Sequence, residues 1–164
     1  MQRTVRILLM PTPEQAEILR ETLRQSTECF NVVCKHGWHT GEKNGVELHK
    51  ATYRTLQALH PRMPSQLLCA ARVKATEVLR SAFALRKTRS KVSCPKSDIA
   101  PIRYDARSYR LRADKRIASM ASVAGRQEVA YRLYSHAEKL FAQASGFDSA
   151  DLCFRKGKWH LHVV

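Results

Sequence analysis

Residues 65–91 read SQLLCAARVKATEVLRSAFALRKTRSK, and the rest of the chain is organised around them. At 100° per residue, Leu67, Leu68, Ala71, Ala75, Val78, Leu79, Ala82 and Phe83 fall on one arc. That arc is the apolar face of an amphipathic helix. Arg72, Arg80 and Lys87 run down one of its edges. Ser65, following Pro64, is the expected N-cap, and Arg86, Lys87, Arg89 and Lys91 gather where the helix dipole favours cations. Taken alone, this edge is either a solvated flank or a surface for a polyanion. The distribution of charge along the chain decides between them.

The 164 residues carry a formal net charge of +15, with a pI near 10.1. Between Arg62 and Arg116, fifteen Lys or Arg stand against four acids, Glu77, Asp98, Asp105 and Asp114, for a net +11. The segments on either side contribute only +2 each. A local excess of this kind marks a polyanion site rather than general solubility. Nucleic acid is the expected partner, ahead of an acidic membrane surface. No run approaches the roughly 18 apolar residues of a spanning helix, and no secretory signal opens the chain, so no membrane partner is expected. Cys29, Cys34, Cys69, Cys94 and Cys153 are scattered without any CxxC spacing. They form neither a disulfide framework nor a zinc ribbon, and reduced thiols in a cytoplasmic protein are the expectation.

Arg3 to Leu9 alternates, with Val5, Ile7 and Leu9 on one face, as a half-buried strand does. In PTPEQ, Thr12 caps a helix, Pro13 suits its first position and Gln15 completes a capping box. That helix turns Leu19, Leu23, Phe30 and Val33 to a core and is expected to stop near Gly37. After the loop from Thr40 to Gly45, a shorter helix runs from about Glu47 to Ala58, and Pro61 and Pro64 separate it from the organising helix. Beyond Lys91 the pattern shortens into alternating runs at Ile102–Tyr104, Tyr109–Leu111, Ile117–Met120 and Val129–Leu133, with a turn at Gly125. A helix is expected from about Ser135 to Ala144, then a hairpin over Ser149–Val164 turning at Lys156-Gly157. One strand, a helical insert and then several strands predict an α+β fold. Its form would be a small antiparallel β-barrel, with a helical module inserted after the first strand. The expected boundaries are 1–10 for that strand, 11–91 for the module and 92–164 for the rest of the barrel.

The sequence carries no catalytic constellation. His36 and His39 have H-x-x-H spacing with Cys34 nearby, but nothing completes a ligand set, and no metal is expected. His160 and His162 share one strand face and either contact phosphate or base, or simply form a polar outer face. Asp98, Asp105 and Asp114 have basic neighbours and read as charge balancing. The informative run is Ile102–Arg112, IRYDARSYRLR, where Tyr104 and Tyr109 are interleaved with Arg103, Arg107, Arg110 and Arg112. Arginine holds phosphate bidentately and aromatic rings stack on bases, a mixture suited to RNA or single strands.

The opening VRILLMPTPEQAEIL, the pair Phe30-Asn31, and the helix ending Ser81-Ala82-Phe83 together resemble the N-terminal part of TnpB (OrfB-type) transposon proteins. YDARSY, GRQEV and FRKGKWHLHVV then follow the same family's order to Val164. The resemblance implies a wedge-type, OB-like β-barrel with an inserted helical recognition module. It also implies RNA-guided DNA binding related to that of type V CRISPR effectors, with guide RNA and target DNA as partners. In the family an RNase H-like (RuvC) nuclease domain and a zinc ribbon follow; neither lies within these 164 residues. The expectation is therefore the binding portion, with no catalytic residues, metal or cofactor, and a catalytic RuvC-type domain or chain as a possible further partner. From charge and position, Gln66 is the candidate base reader, Arg72, Arg80 and Lys87 face DNA or the RNA–DNA duplex, and Arg86 and Arg89 are further nucleic-acid-binding candidates. Arg103, Tyr104, Arg107 and Arg110 lie along RNA. Two alternatives remain at this point: a subunit of a split nuclease needing a separate catalytic chain, and a generic basic RNA-binding protein.

Overall fold

A computed structural model describes residues 4–144 and 146–164. Arg3, the expected first residue of the opening strand, lies outside the described residues. Among these residues the chain is mixed α+β, with four helices and seven strands. It divides into two compact units, one of Met1–Leu23 with Pro101–Val164 and one of Arg24–Ala100.

The first unit is a curled antiparallel sheet, a half-barrel. Its strands are β1 (Val5–Met10), β2 (Ile102–Tyr104), β3 (Tyr109–Arg112), β4 (Ile117–Ser122), β5 (Gly125–Arg132), β6 (Ala150–Arg155) and β7 (Lys158–Val163). They lie in the order β2-β6-β7-β1-β5-β4-β3. β1 is therefore central, pairing through Ile7 with Leu161 of β7 and through Leu9 with Tyr131 of β5. The alternation read in the sequence sets the two faces. Ile7, Leu9, Ile102, Val129, Leu152, Leu161 and Val163 are buried on the inner one. β6 and β7 are joined at Lys156 and Gly157, whose φ values of +50° and +73° suit the tight turn expected there. β2 and β3, outermost in strand order, are joined by only Asp105–Ser108. The Tyr104 hydroxyl donates to the Ala121 carbonyl of β4 at 2.9 Å, fastening the curl.

Helix α1 (Pro13–Thr40) begins in this unit. Its capping box forms as expected: Thr12 Oγ1 accepts from Gln15 N at 3.2 Å, and Gln15 Oε1 accepts from Thr12 N at 3.1 Å. Gln15 Nε2 also donates to the Glu128 carbonyl, and Thr22 Oγ1 accepts from Val123 N. These bonds tie the first turns of α1 to the sheet. The boundary expected at residue 10 accordingly moves to Leu23. A short helix, α4 (Ser135–Ala142), completes the unit.

The second unit holds the rest of α1 with α2 (Gly45–Leu59) and α3 (Ser65–Arg86). α1 does not stop at Gly37. A Cβ there would lie 2.5 Å from Leu79 Cδ1 and 2.7 Å from the Glu42 carbonyl, so this glycine permits close packing inside the helix. The stop is at Gly41, with φ +74°, the left-handed residue usual after a helix end. α2 is capped by Asn44, whose side chain accepts from Val46 N. For α3 the cap position is Pro64, without a side-chain bond, and Ser65 is the first helical residue rather than the cap. Leu67, Leu68, Ala71, Ala75, Leu79 and Ala82 are buried as expected, whereas Val78 is exposed.

The segment 92–100, expected to begin the barrel remainder, belongs to this helical unit. Asn31 explains why. Its Nδ2 donates to the Ser97 carbonyl at 2.8 Å, and its Oδ1 accepts from Ser97 N at 2.9 Å. Thr27 Oγ1 accepts from Ala100 N at 3.0 Å. The loop is laid back along α1, so the second boundary falls at Pro101.

Candidate nucleic-acid interface

In the helical unit, the arginines of α3 divide between holding structure and facing outward. Arg72 is half-buried, its Nε enclosed without a hydrogen bond, and its Nη1 lies 2.9 Å from where a Cβ on Gly45 would be. Arg80 donates through Nε to the Lys43 carbonyl at 3.2 Å, pinning the Gly-Lys loop. Arg86 lies over Trp38, its guanidinium carbon 5.0 Å from the ring centre. Trp38 in turn stacks on Phe83, with centroids 5.3 Å apart and planes 11° from parallel. Such a stack orients the guanidinium while leaving its edge available for hydrogen bonds.

Gln66, Lys87 and Arg89 are exposed. Gln66 and Lys87 stand at opposite ends of α3, about 30 Å apart at 1.5 Å per residue. They therefore do not meet at one base. The cations that gather are Arg86, Lys87, Arg89 and Lys91, all exposed around the C-terminus of α3.

In the sheet unit Tyr104 requires a correction. It is fully buried, and its hydroxyl is committed to Ala121. No face of the ring is open to a base, because the period-two alternation that makes Arg103 outward turns Tyr104 inward. Tyr109 is buried in the same way, its ring 6.5 Å from that of Tyr104.

Arg103 is half-buried and approaches Asp151 at 3.5 Å across the β2–β6 pair. Arg107 projects from the Asp105–Ser108 turn with its side chain 80% exposed, and Arg110 is exposed on β3. Arg103 is thus at the β2 edge of the sheet, while Arg107 and Arg110 lie at the turn and on β3.

Sequence reading missed Arg126. Its Nη2 donates to the Arg107 carbonyl at 2.7 Å and its Nη1 to Ser119 Oγ at 3.2 Å. Arg110 pairs with Ser119 across β3 and β4, so Arg110 and Arg126 flank the same serine. The signal was present: with Val129 and Tyr131 inward, Arg126 is outward by alternation. Arg112 belongs to a different arrangement, paired with Glu128 at 2.6 Å.

Asp105 is structural. Its Oδ1 accepts from the backbone N–H of Arg107 and Ser108 and from the Ser108 hydroxyl. Burial pushes its carboxyl up, but the bonds from Ser108 and Arg107, with the Arg107 charge, outweigh that and carry it below the usual carboxylate value.

Burial raises the Cys29 and Cys34 thiols to about 12, with the Glu28 charge adding to the first and Cys94 to the second. Neither is a reactive thiolate at neutral pH. Among the described residues the cysteines are all free. Also among them, no three His, Cys, Asp or Glu gather as a metal set, and no helix is long and apolar enough to cross a membrane. His39 Nδ1 lies 2.7 Å from the Lys35 carbonyl, an ordinary helical contact.

No family model matches the chain, and no curated protein matches it in sequence.

Proposed function

We propose that this chain binds nucleic acid as the wedge-and-recognition portion of a TnpB-like protein, holding guide RNA and target DNA and leaving cleavage to a RuvC-type domain or chain. The observation that carries the binding role is the exposure of the local charge. Of the fifteen basic residues between Arg62 and Arg116, eleven are exposed. They include the group at the end of α3 and the Arg107–Arg110 pair beside Arg126. Within each unit such groups form the positive surface on which phosphates are neutralised with release of counterions.

The chain order supports the narrower reading. The first strand sits at the centre of a sheet whose other strands come after a 77-residue helical unit, Arg24–Ala100. A curled antiparallel sheet interrupted by helices is the arrangement that the resemblance implies. On this reading Lys87 and Arg89 contact phosphate, Arg86 presents its edge from the Trp38 stack, and Arg107, Arg110 and Arg126 follow an RNA backbone. Arg72 and Arg80 shape the helical unit, and Gln66 acts at the far end of α3.

The test is sequencing of RNA that co-purifies with the chain expressed from its native locus, after a wash at high salt. Enrichment of one RNA overlapping the 3′ end of the gene is the expected result. A featureless spread of cellular RNA, lost as salt rises, would remove the TnpB-like reading and leave a generic basic RNA binder.

A further inference from the structure

The row of basic and histidine side chains across the outer face of β7 and β1 is absorbed by none of the contacts above. His160 and His162 alternate with Trp159, Leu161 and Val163, which are buried on the inner face. His162 sits opposite Arg6 of β1 on one side and Asp151 of β6 on the other. Asp151 in turn faces Arg103 of β2. One transverse line of the sheet therefore reads Arg103, Asp151, His162, Arg6. The Arg6 guanidinium lies over Tyr134, 5.3 Å from its centroid, and the Tyr134 hydroxyl is 3.5 Å from His160 Nε2. Beside this line Thr4, Arg103, Ser149, Asp151, His162 and Val164 line an open cleft of about 400 Å³. That is toward the small end of the roughly 300–1,000 Å³ of ligand sites.

We propose that this row is a phosphate-contact site, in which half-buried His162 beside Arg6 grips a nucleic-acid strand more tightly as pH falls, with His160 buried behind it against Tyr134. The proposal rests on the nucleic-acid reading above and adds the ligand group and its regulation.

The charges around the two imidazoles give the sign. Cations face them from both neighbouring strands, Arg6 from β1 and Arg155 from β6, with Lys158 on β7 itself; Arg132 of β5 lies one strand further, beyond Leu8. Asp151, with Arg103 close to it, is the opposing carboxylate, and Cys153 and Tyr134 are the uncharged titratable neighbours. Burial, then the charges of Arg6, His162 and Lys158, hold His160 below its ordinary value of 6.5. Burial, then Arg155 and Arg6, do the same to His162, with Asp151 opposing. Both rings are therefore harder to charge in the free protein than an ordinary imidazole. A phosphate placed in the row cancels the repulsion and favours the imidazolium. Binding then takes up protons, and affinity rises as pH falls through the raised values of the complex.

The experiment uses the whole chain and a 12-nucleotide fluorescein-labelled RNA, with affinity measured by anisotropy from pH 8 to 5.5 at constant ionic strength. Histidine Cε1–H resonances are followed by NMR with and without the RNA, and inorganic phosphate serves as a separate arm. The expected result is about a tenfold gain in affinity between pH 7.5 and 5.5, which corresponds to one unit of pKa shift. His162 should titrate at least one unit higher in the complex. His162→Gln should remove most of the gain between pH 7.5 and 5.5. Movement of His162 with RNA alone assigns the site to a strand, and movement with inorganic phosphate as well assigns it to a single phosphate group. RNA binding with an unmoved His162, or a pH response retained in His162→Gln, would overturn this inference and leave the proposed function standing. Absence of RNA binding at every pH would overturn both.

Discussion

The sheet unit and the helical unit are both rich in arginine, yet they use it differently. On the sheet, strand alternation separates the two jobs. Ile102, Tyr104, Val129 and Leu161 fill the inner face, while Arg110, Arg126 and Arg6 stand on the outer one. On α3 the border between core and solvent is gradual, and side chains along it serve both. Arg72 packs against Gly45, Arg80 holds the Lys43 carbonyl, and Arg86 lies over Trp38. Alternation thus tells core from surface on a strand, but a surface arginine there is not thereby free for a ligand: Arg126 holds the Arg107 carbonyl and Arg112 pairs with Glu128.

The largest effect concerns the core of the sheet. Ile7 is fully buried on the central strand, so Ile7→Ala should destabilise the protein by about 3 kcal/mol in denaturant unfolding. A loss below about 1 kcal/mol would place β1 at the periphery and undo the interrupted-sheet architecture.

The helical unit depends on close approach at one glycine. Gly37→Ala should cost about 2 kcal/mol in the same measurement, because its Cβ would press on Leu79 and the Glu42 carbonyl. Gly41→Asn should cost less, about 1 kcal/mol, since nothing lies within 4 Å of a built Cβ and asparagine tolerates the left-handed conformation better than other side chains. Equal losses at the two positions would contradict the distinction.

Tyr104→Phe tests the corrected residue. It should lower stability by about 1 kcal/mol through loss of the bond to Ala121, and leave RNA affinity unchanged. Reduced RNA affinity at unchanged stability would return Tyr104 to the interface.

The smallest effect is at the Asp105 turn. Its carboxyl lies below its usual value when folded, so its contribution is present above about pH 4 and is lost as pH falls through the folded value. Asp105→Asn should therefore flatten the loss of stability below pH 4. An acid limb as steep as that of the parent chain would show that the turn does not depend on the charge.

What was legible in the sequence follows the same division. β2, the Lys156-Gly157 turn and the capping box of Thr12 and Gln15 were readable, because each is specified by a few adjacent residues. The stop at Gly41, the cap of α3 and the two unit boundaries were not. Gly37 resembles a helix terminator until Leu79, forty-two positions later, is seen packed on it. The 92–100 loop belongs with α1 through bonds from Asn31 and Thr27 that span 66 and 73 residues. Among site residues, alternation already placed Arg110 outward, and applied to β5 it would have found Arg126. It would also have withdrawn Tyr104, since Ile102 and Tyr104 must share a face.

The most direct test is the salt dependence of affinity for a single-stranded RNA probe, compared among the parent chain, Lys87→Ala/Arg89→Ala and Arg110→Ala/Arg126→Ala. The expected result is a linear fall of log affinity with log salt. Its slope should shrink by about 0.7 for each phosphate contact removed, so by roughly 1.4 in either double variant if both residues touch phosphate. A slope unchanged in both double variants, or affinity insensitive to salt in the parent chain, would contradict the assignment of these exposed cations to nucleic acid.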